Sequence, residues 1–404
     1  MAHPGTLVLI MAAAVLAPLL AEMTARRVRV PLVIFEIALG IVIGPDALGL
    51  THADRVVDAL ADLGLAMLIF LAGYEIDFGS VRGGTLRRSL GAWLVSLTVG
   101  IALGFLLGGG ETYRAFVIGT ALTSTALGTV LPILRDEGRL RGPFGTVMSA
   151  FGAVGEFGPV VAVALLLSGR KPAASAFLLI TFAVITTLAV LWALRPRPAW
   201  FSRMVEKTLH SSGQFAVRFV MFLLAGMLAL SQAFGLDILL GAFAAGVLTR
   251  LVLHGASPAH SAEVVGKVEA LGFGFLVPLF YVVTGIEFDL DALVHDMRAL
   301  ASVPLFLLLF LVVRGGPVYL FAPPDLSRSG RAALTLLTST CLPLVAAITT
   351  IGVDQKIIGT DQASALVGAA MLSVLILPPP AMRLLGGRPL REPPSLASAE
   401  TEAW

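Results

Sequence analysis

The sequence has few charged residues and a single cysteine. Only 13% of its 404 residues are Asp, Glu, Lys or Arg, about half of the roughly 25% typical of soluble domains. One cysteine excludes an intramolecular disulfide framework and a multi-cysteine metal site. Because Cys341 lies in an apolar run, we expect a buried, inert thiol. The sequence contains neither HExxH nor GxSxG, so we predict no enzyme, no bound metal and no cofactor.

Long apolar runs fill almost the whole chain. Hydrophobic residues make up 57% of it, which predicts an all-α polytopic membrane protein. The first run, GTLVLIMAAAVLAPLLAEM, is long enough to remain as a helix, and basic residues follow rather than precede it, unlike a cleaved signal peptide. We predict thirteen spans, at about 5–23, 31–46, 58–76, 89–108, 115–134, 143–168, 174–194, 215–233, 237–253, 270–286, 299–321, 332–352 and 361–382.

Basic residues are unevenly distributed among the predicted loops. The loops after odd-numbered spans, together with the C-terminal tail, hold 21 of the 28 Lys and Arg residues, and the loops after even-numbered spans hold six. Basic residues concentrate on the cytoplasmic side of membrane proteins. We therefore predict a multi-pass protein of the cell inner (plasma) membrane, with its N-terminus outside and its C-terminus in the cytoplasm.

The sequence resembles itself at an offset of a little over 200 residues. LTSTAL at 122–127 returns as LTSTCL at 337–342, AGYEIDF at 72–78 as TGIEFDL at 284–290 and, more weakly, EIALGIVIG at 36–44 as GAFAAGVLT at 241–249. Each matched span returns seven spans later in the predicted order, and because seven is odd the two copies enter the membrane in opposite directions. This is an inverted-topology repeat, which is typical of secondary transporters.

The repeats define the predicted domain organisation. We predict one membrane domain over residues 1–382, with repeat one at about 31–168 and repeat two at about 237–382. Residues 383–404 would form a short cytoplasmic tail without regular structure.

The two LTST segments have the composition of discontinuous helices. The first contains Thr123, Ser124 and Thr125 and is followed by Pro132, and the second contains Thr338, Ser339 and Thr340 and is followed by Pro343. Proline removes a helix donor, and hydroxyls can satisfy the freed backbone groups or bind a cation. We predict a crossed pair of broken helices. The alternative is two ordinary kinked helices that pack through small residues.

Four segments resemble a known family. VPLVIFEIALGIVIGP, LGLAMLIFLAGYEIDF, ALTSTALGTVLPIL and LVPLFYVVTGIEFDL resemble the second, third, fifth and tenth spans of the monovalent cation:proton antiporter superfamily. The resemblance covers about residues 5–382 and is closest to the branch of bacterial sodium/proton antiporters and Kef-type potassium efflux systems. It implies a core domain, a dimerisation domain, an elevator-like alternating-access cycle and a homodimer.

Two positions depart from the family pattern. The sixth span of the family usually carries two adjacent polar residues, where this sequence has Gly155 and Glu156. The eleventh span often carries a lysine, where the matching residue here is Arg314.

Glu156 is the only charge in the apolar stretch 150–168. A carboxylate at such a depth costs roughly 2–3 kcal/mol or more, which indicates a function. We predict that Glu156 binds a proton and a cation alternately, with hydroxyls of Thr123, Ser124 and Thr125 as further oxygen ligands. Arg314 would pair with Glu156 or cap the carbonyl ends of the broken helices. The alternative is a fixed Glu–Arg pair that only joins two helices.

The predicted function is exchange of Na⁺ or K⁺ for H⁺, and the exchange would be electroneutral. The partners would be these ions, the lipid bilayer and a second copy of the chain, without nucleic acid. Two other classes remain open: a sodium-coupled organic-anion carrier, and a non-transporting sensor or accessory subunit on the same fold. The buried carboxylate Glu36 would be pinned by a hydrogen bond in the scaffold, and Glu75, Asp77, Glu287 and Asp289 would be structural residues at span ends.

Overall fold

The computed structural model consists almost entirely of helices. It describes residues 4–25, 30–52, 54–75, 84–140, 142–166, 177–178, 180–182, 184–188, 214–236, 238–254, 258–295 and 297–386. Within these ranges all regular elements are helical and no strand occurs, which confirms the predicted all-α class.

Eighteen helices can be given bounds. They are α1 (Pro4–Ala25), α2 (Leu32–Ile43), α3 (Arg55–Glu75), α4 (Gly84–Leu107), α5 (Thr112–Ala121), α6 (Leu127–Asp136), α7 (Pro143–Leu166), α8 (Phe215–Ala233), α9 (Ile238–His254), α10 (Pro258–Leu271), α11 (Val277–Ile286), α12 (Leu290–His295), α13 (Met297–Leu309), α14 (Gly316–Phe321), α15 (Arg328–Thr338), α16 (Pro343–Asp354), α17 (Thr360–Ile376) and α18 (Pro378–Leu384). Two π-helical turns, Gly272–Leu276 and Phe310–Gly315, join α10 to α11 and α13 to α14.

Length and composition of these helices fit a membrane protein. Nine helical segments in the described ranges are long and apolar enough to cross a bilayer, and α2 and most of α9 form shorter apolar helices. The total of thirteen spans stays a prediction, because the span predicted at 174–194 lies largely outside the described residues. Most of the predicted tail, from residue 387 onward, also lies outside them.

One group of helices, which we call the scaffold, consists of α1, α2, α3, α8, α9, α10 and α11. Its central contacts are those of α3 with α9 and of α2 with α11. The backbones of α2 and α11 approach closely at Gly40 and Gly285, where a methyl group on either residue would overlap the backbone of the other helix. Small residues allow such packing in membranes, where dispersion contacts replace the hydrophobic effect between helices.

The second group, which we call the core, contains α4, α5, α6, α7, α13, α14, α15, α16 and α17. Within it α4 packs against α5 and α7, and α13 packs against α17. Scaffold and core meet where α3 contacts α6 and where α9 contacts α7. At the latter contact Phe157 of the core stacks on Phe243 of the scaffold, with ring centroids 4.4 Å apart.

Two core helices are interrupted at the predicted positions. The first break separates Ala121, the end of α5, from Leu127, the start of α6. The second separates Thr338, the end of α15, from Pro343, the start of α16. The breaks lie side by side, because the Ala126 amide donates to the Thr340 carbonyl at 2.7 Å. The structure therefore shows the crossed, broken pair rather than two continuous kinked helices.

The close approach of α2 and α11 predicts that Gly40→Ala lowers stability by about 1–3 kcal/mol, because the added methyl group forces the backbones apart. Thermal unfolding of the purified protein in detergent measures this loss. Gly226→Ala is the matched control, since Gly226 also lies inside a helix but has open space around it. Equal midpoints for both variants would contradict tight α2–α11 packing.

Candidate functional site

Glu156 lies in the middle of α7, beside the crossing of the broken helices. It is 2% exposed, and its Oε2 has no hydrogen-bond partner in the part of the chain that the structure describes. The carboxylate interacts with the backbone amide of Leu127, the first residue of α6. The positive end of the α6 dipole therefore faces the carboxylate, while one carboxylate oxygen is left without a donor.

Thr125 joins the two broken helices to α7. Its hydroxyl donates to the Thr338 carbonyl at 2.6 Å and accepts from Nε of Arg314 at 3.0 Å. Its backbone amide donates to the carbonyl of Gly155 at 3.0 Å. Thr125 is thus held next to Gly155, the residue before Glu156. Its hydroxyl hydrogen is already donated to the Thr338 carbonyl, where the two broken helices cross.

The other two hydroxyls of the first break turn back to α5. Thr123 donates to the Thr120 carbonyl and Ser124 to the Ala121 carbonyl, both at 2.8 Å. These bonds give each carbonyl at the end of α5 a second donor, besides the backbone amide of Thr123 or Ser124. Each hydroxyl oxygen keeps acceptor capacity after donating its proton, so both residues remain compatible with cation ligation.

The second break is stabilised differently. Thr338, Ser339 and Thr340 donate to carbonyls within α15, those of Leu334, Thr335 and Leu336. Ser373 of α17 accepts from the Cys341 amide and donates to the Cys341 carbonyl, both at 3.1 Å. The sequence reasoning missed Ser373, whose only signal is a polar residue within the apolar run of span thirteen.

Arg314 is fully buried and lies in the π-helical turn between α13 and α14. Besides its bond to Thr125, it donates from Nη2 to the carbonyl of Phe151 at 2.6 Å. Among the described residues, Nη1 has no acceptor and no ion pair joins Arg314 to Glu156. Of the two roles that the sequence left open for this arginine, the structure shows contacts to the break and to α7, not pairing with Glu156.

The absence of a side chain at residue 155 explains where the guanidinium lies. A methyl group on Gly155 would overlap both Nη2 of Arg314 and Oγ1 of Thr125. Arg314 therefore fills the space that the first polar residue of the usual pair would occupy. Since Gly155 and Glu156 point to different sides of α7, the arginine contacts the helix without reaching the carboxylate.

Two further groups near the site belong to the scaffold. Tyr281 of α11 interacts electrostatically with Glu156 and Glu36, and with the Thr129 hydroxyl of α6. Glu36 is 3% exposed in α2. The sequence reasoning placed Glu36 in the scaffold but missed Tyr281, a polar residue within the apolar segment LVPLFYVV.

Two adjoining cavities of about 330 and 210 Å³ lie between scaffold and core, and both are lined by Thr284, Glu287, Thr350 and Asp354. Asp58 and Asp62 add acidic groups to the larger one. Partial burial and repulsion from Asp58, Asp354 and Asp62 raise the pKa of Glu287 to about 7. The negative charge of the cavities therefore decreases as the pH falls through about 7.

Comparisons with known proteins agree on one family. The family model described as "Sodium/hydrogen exchanger, transmembrane" matches residues 11–383. The "Putative Na(+)/H(+) antiporter YjbQ" of Bacillus subtilis (strain 168) is 30% identical over 94% of this chain, and the chain spans 63% of its length. The "Na(+)/H(+)-K(+) antiporter GerN" of Bacillus cereus is 23% identical over 87% of this chain and 89% of its own length.

Among solved structures, the sodium proton antiporter MjNhaP1 from Methanocaldococcus jannaschii has the same fold. Its TM-score is 0.67 at 16% identity, over 94% of this chain and 99% of that chain. This confirms the all-helical membrane-protein fold expected from the sequence.

The bonds at Thr125 predict that Thr125→Ala destabilises the protein by about 1–3 kcal/mol, because Nε of Arg314 and the Thr338 carbonyl lose a partner in a dry site. Thr125→Ser keeps the hydroxyl and should unfold close to the wild-type temperature. A thermal unfolding series on the purified variants measures both. If serine costs as much as alanine, packing of the methyl group and not the hydroxyl holds the crossing.

Proposed function

The chain belongs to the sodium/hydrogen exchanger family of transmembrane proteins, and on this basis we propose that it exchanges a monovalent cation, Na⁺ or K⁺, for H⁺ across the membrane. Glu156 is the group that we infer binds the two ions alternately. The observation that carries this proposal is the buried Oε2, which has no hydrogen-bond partner among the described residues.

The chemistry of exchange follows from the position of Glu156. An unpaired carboxylate in a low-dielectric interior is strongly unfavourable, so the site favours either a bound proton or a bound cation. Both ligands need the same oxygen, which makes their binding mutually exclusive. Thr123 and Ser124 lie in the adjacent break and supply the oxygen ligands that hard cations prefer.

Alternating access would come from movement of the core against the scaffold. Glu156 and both breaks lie in the core, whereas Tyr281 and Glu36 lie in the scaffold. We propose the arrangement expected from the sequence: a homodimer in the plasma membrane, N-terminus outside and C-terminus in the cytoplasm. The cavities at Glu287 and Asp354 would then open to the outside, since the ends of even-numbered spans face that side.

The other two function classes are less well supported by the charges. A sodium-coupled organic-anion carrier would have to admit an anion past Asp58, Glu287 and Asp354, which repel it. A non-transporting sensor on this fold makes no use of an unpaired buried carboxylate. Ion exchange uses both the acidic cavity and Glu156.

We predict that Glu156→Gln abolishes exchange without unfolding the protein, because the amide keeps the size of the side chain and loses its titratable charge. Proteoliposomes with an imposed pH gradient and an internal pH dye, tested with Na⁺, K⁺, Li⁺ and Rb⁺, measure the rate. Glu36→Gln is the matched control, as it neutralises another buried carboxylate outside the core, and it should retain exchange. Normal gradient dissipation by the Glu156 variant would remove this residue from the mechanism.

We further predict electroneutral exchange of one proton for one cation. Glu156 is the carboxylate at the crossing, Gly155 cannot titrate, and an arginine side chain does not release its proton. The moving core therefore carries the same charge with either ion.

A diffusion potential set by a thiocyanate gradient across proteoliposomes, with Na⁺ as the test ion and equal K⁺ on both sides, measures the voltage dependence without a gradient of the second candidate cation. The exchange rate should not change with this potential. A proton gradient sustained by the potential would contradict the one-to-one stoichiometry and would point to a second titrating group.

A further inference from the structure

An ion pair connects core and scaffold on the side opposite to the acidic cavities. Nη2 of Arg135, in the last turn of α6, lies 3.6 Å from Oε1 of Glu75, the last residue of α3. The side chains are 59% and 24% exposed. Because α6 belongs to the core and α3 to the scaffold, this pair holds together two bodies that must separate if the site is to open on this side.

The scaffold end of the pair is anchored. Arg250 of α9 donates to the carbonyls of Tyr74 and Glu75, at 2.9 and 3.1 Å. These bonds cap the C-terminus of α3, where backbone carbonyls have no helical partner. The backbone that carries Glu75 is therefore anchored to the scaffold, whereas the side chain of Arg135 on the core is 59% exposed.

The internal sequence match identifies the corresponding positions on the other side. The AGYEIDF and TGIEFDL segments align Glu75 with Glu287. The offset that carries LTSTAL at 122–127 onto LTSTCL at 337–342 also carries Arg135 onto Thr350. Glu287 and Thr350 line both cavities, one from each body, so the corresponding pair lies across open space.

We propose that Arg135 and Glu75 form a latch on one face only, which holds the carrier closed on the Glu75 face while the Glu287 face is open. The opposite face has no latch because Thr350 stands where a basic residue would be needed. This inference rests on the proposed alternating exchange and adds a residue pair that sets the balance between its two states.

Because Arg135 is largely exposed, its ion pair with Glu75 contributes little free energy. A carrier that alternates between two states needs such a small contribution, so that neither state is trapped. Solvent-exposed ion pairs change an equilibrium by about 1.5- to 5-fold, and salt screens them further. A pair of this strength shifts the populations of the two states without preventing the movement between them.

The experiment measures how often the Glu287 face is open. Thr284→Cys, in a Cys341→Ala background, places a thiol in both cavities, and its rate of labelling by a hydrophilic maleimide in nanodiscs reports the open fraction. Removing the charge with Arg135→Gln should slow labelling by up to about 5-fold, because the open fraction changes by no more than the equilibrium constant does. Arg135→Lys keeps the charge and should label at the parental rate. Gln355→Cys, exposed on the same face, controls for reagent reactivity.

A second variant introduces a corresponding ion pair on the Glu287 face. Thr350 is exposed, so Thr350→Arg can be accommodated and should pair with Glu287, close that face and slow labelling of Thr284→Cys. Adding Glu287→Gln should restore the rate if charge closes the cavity. Size-exclusion profiles and unfolding midpoints of all variants verify that they are folded.

Two results would contradict the proposal that the Arg135–Glu75 pair acts as a latch. One is equal labelling of the Gln and Lys variants of Arg135, and the other is a Thr350→Arg effect that persists with Glu287→Gln. Labelling is measured without ion transport, so a failed latch is distinguishable from a failed exchange function, which only the proteoliposome assay reports.

Discussion

Where a membrane helix is interrupted, the freed backbone amides and carbonyls need other hydrogen-bond partners. The geometry of the candidate site depends on which partners these groups find at the two breaks. In a dry interior each unpartnered amide or carbonyl costs several kcal/mol. The Ala126 amide donates a hydrogen bond to the Thr340 carbonyl, and the Thr125 hydroxyl donates one to the Thr338 carbonyl. This mutual satisfaction fixes the crossing, and the start of α6 is thereby directed at Glu156.

The combination of a glycine at position 155 and an arginine at position 314 changes the contacts of the site but not the fold. A guanidinium takes the space that a polar side chain at position 155 would fill, and its donors go to Thr125 and Phe151. The positive charge thus stabilises the crossing, whereas Glu156 is left with an unpartnered oxygen. This unpartnered oxygen is the feature on which the proposed alternate binding of a proton and a cation rests.

The two sides of the scaffold–core boundary differ although the sequence repeats. On one face Glu75 contacts Arg135, and on the other Glu287 and Thr350 border a cavity with further carboxylates. In the described residues one face therefore has an ion pair between core and scaffold, and the other has acidic cavities between them. The acidic lining attracts cations to the open side.

The sequence by itself determined the features that depend on local pattern. Bilayer thickness sets the length of the apolar runs, hydroxyl and proline clusters indicate breaks at the LTST segments of 122–127 and 337–342, and Glu156 is recognisable as an isolated charge. Only the tertiary structure decided which groups meet. For Arg314 the sequence left open a pair with Glu156 or a cap on the broken helices, and the structure places its guanidinium against Gly155, Thr125 and the Phe151 carbonyl. Ser373 bonds to the second break, and Arg135 reaches Glu75. These partners are distant in the sequence, and the rotation and crossing of whole helices, which no local pattern encodes, bring them together.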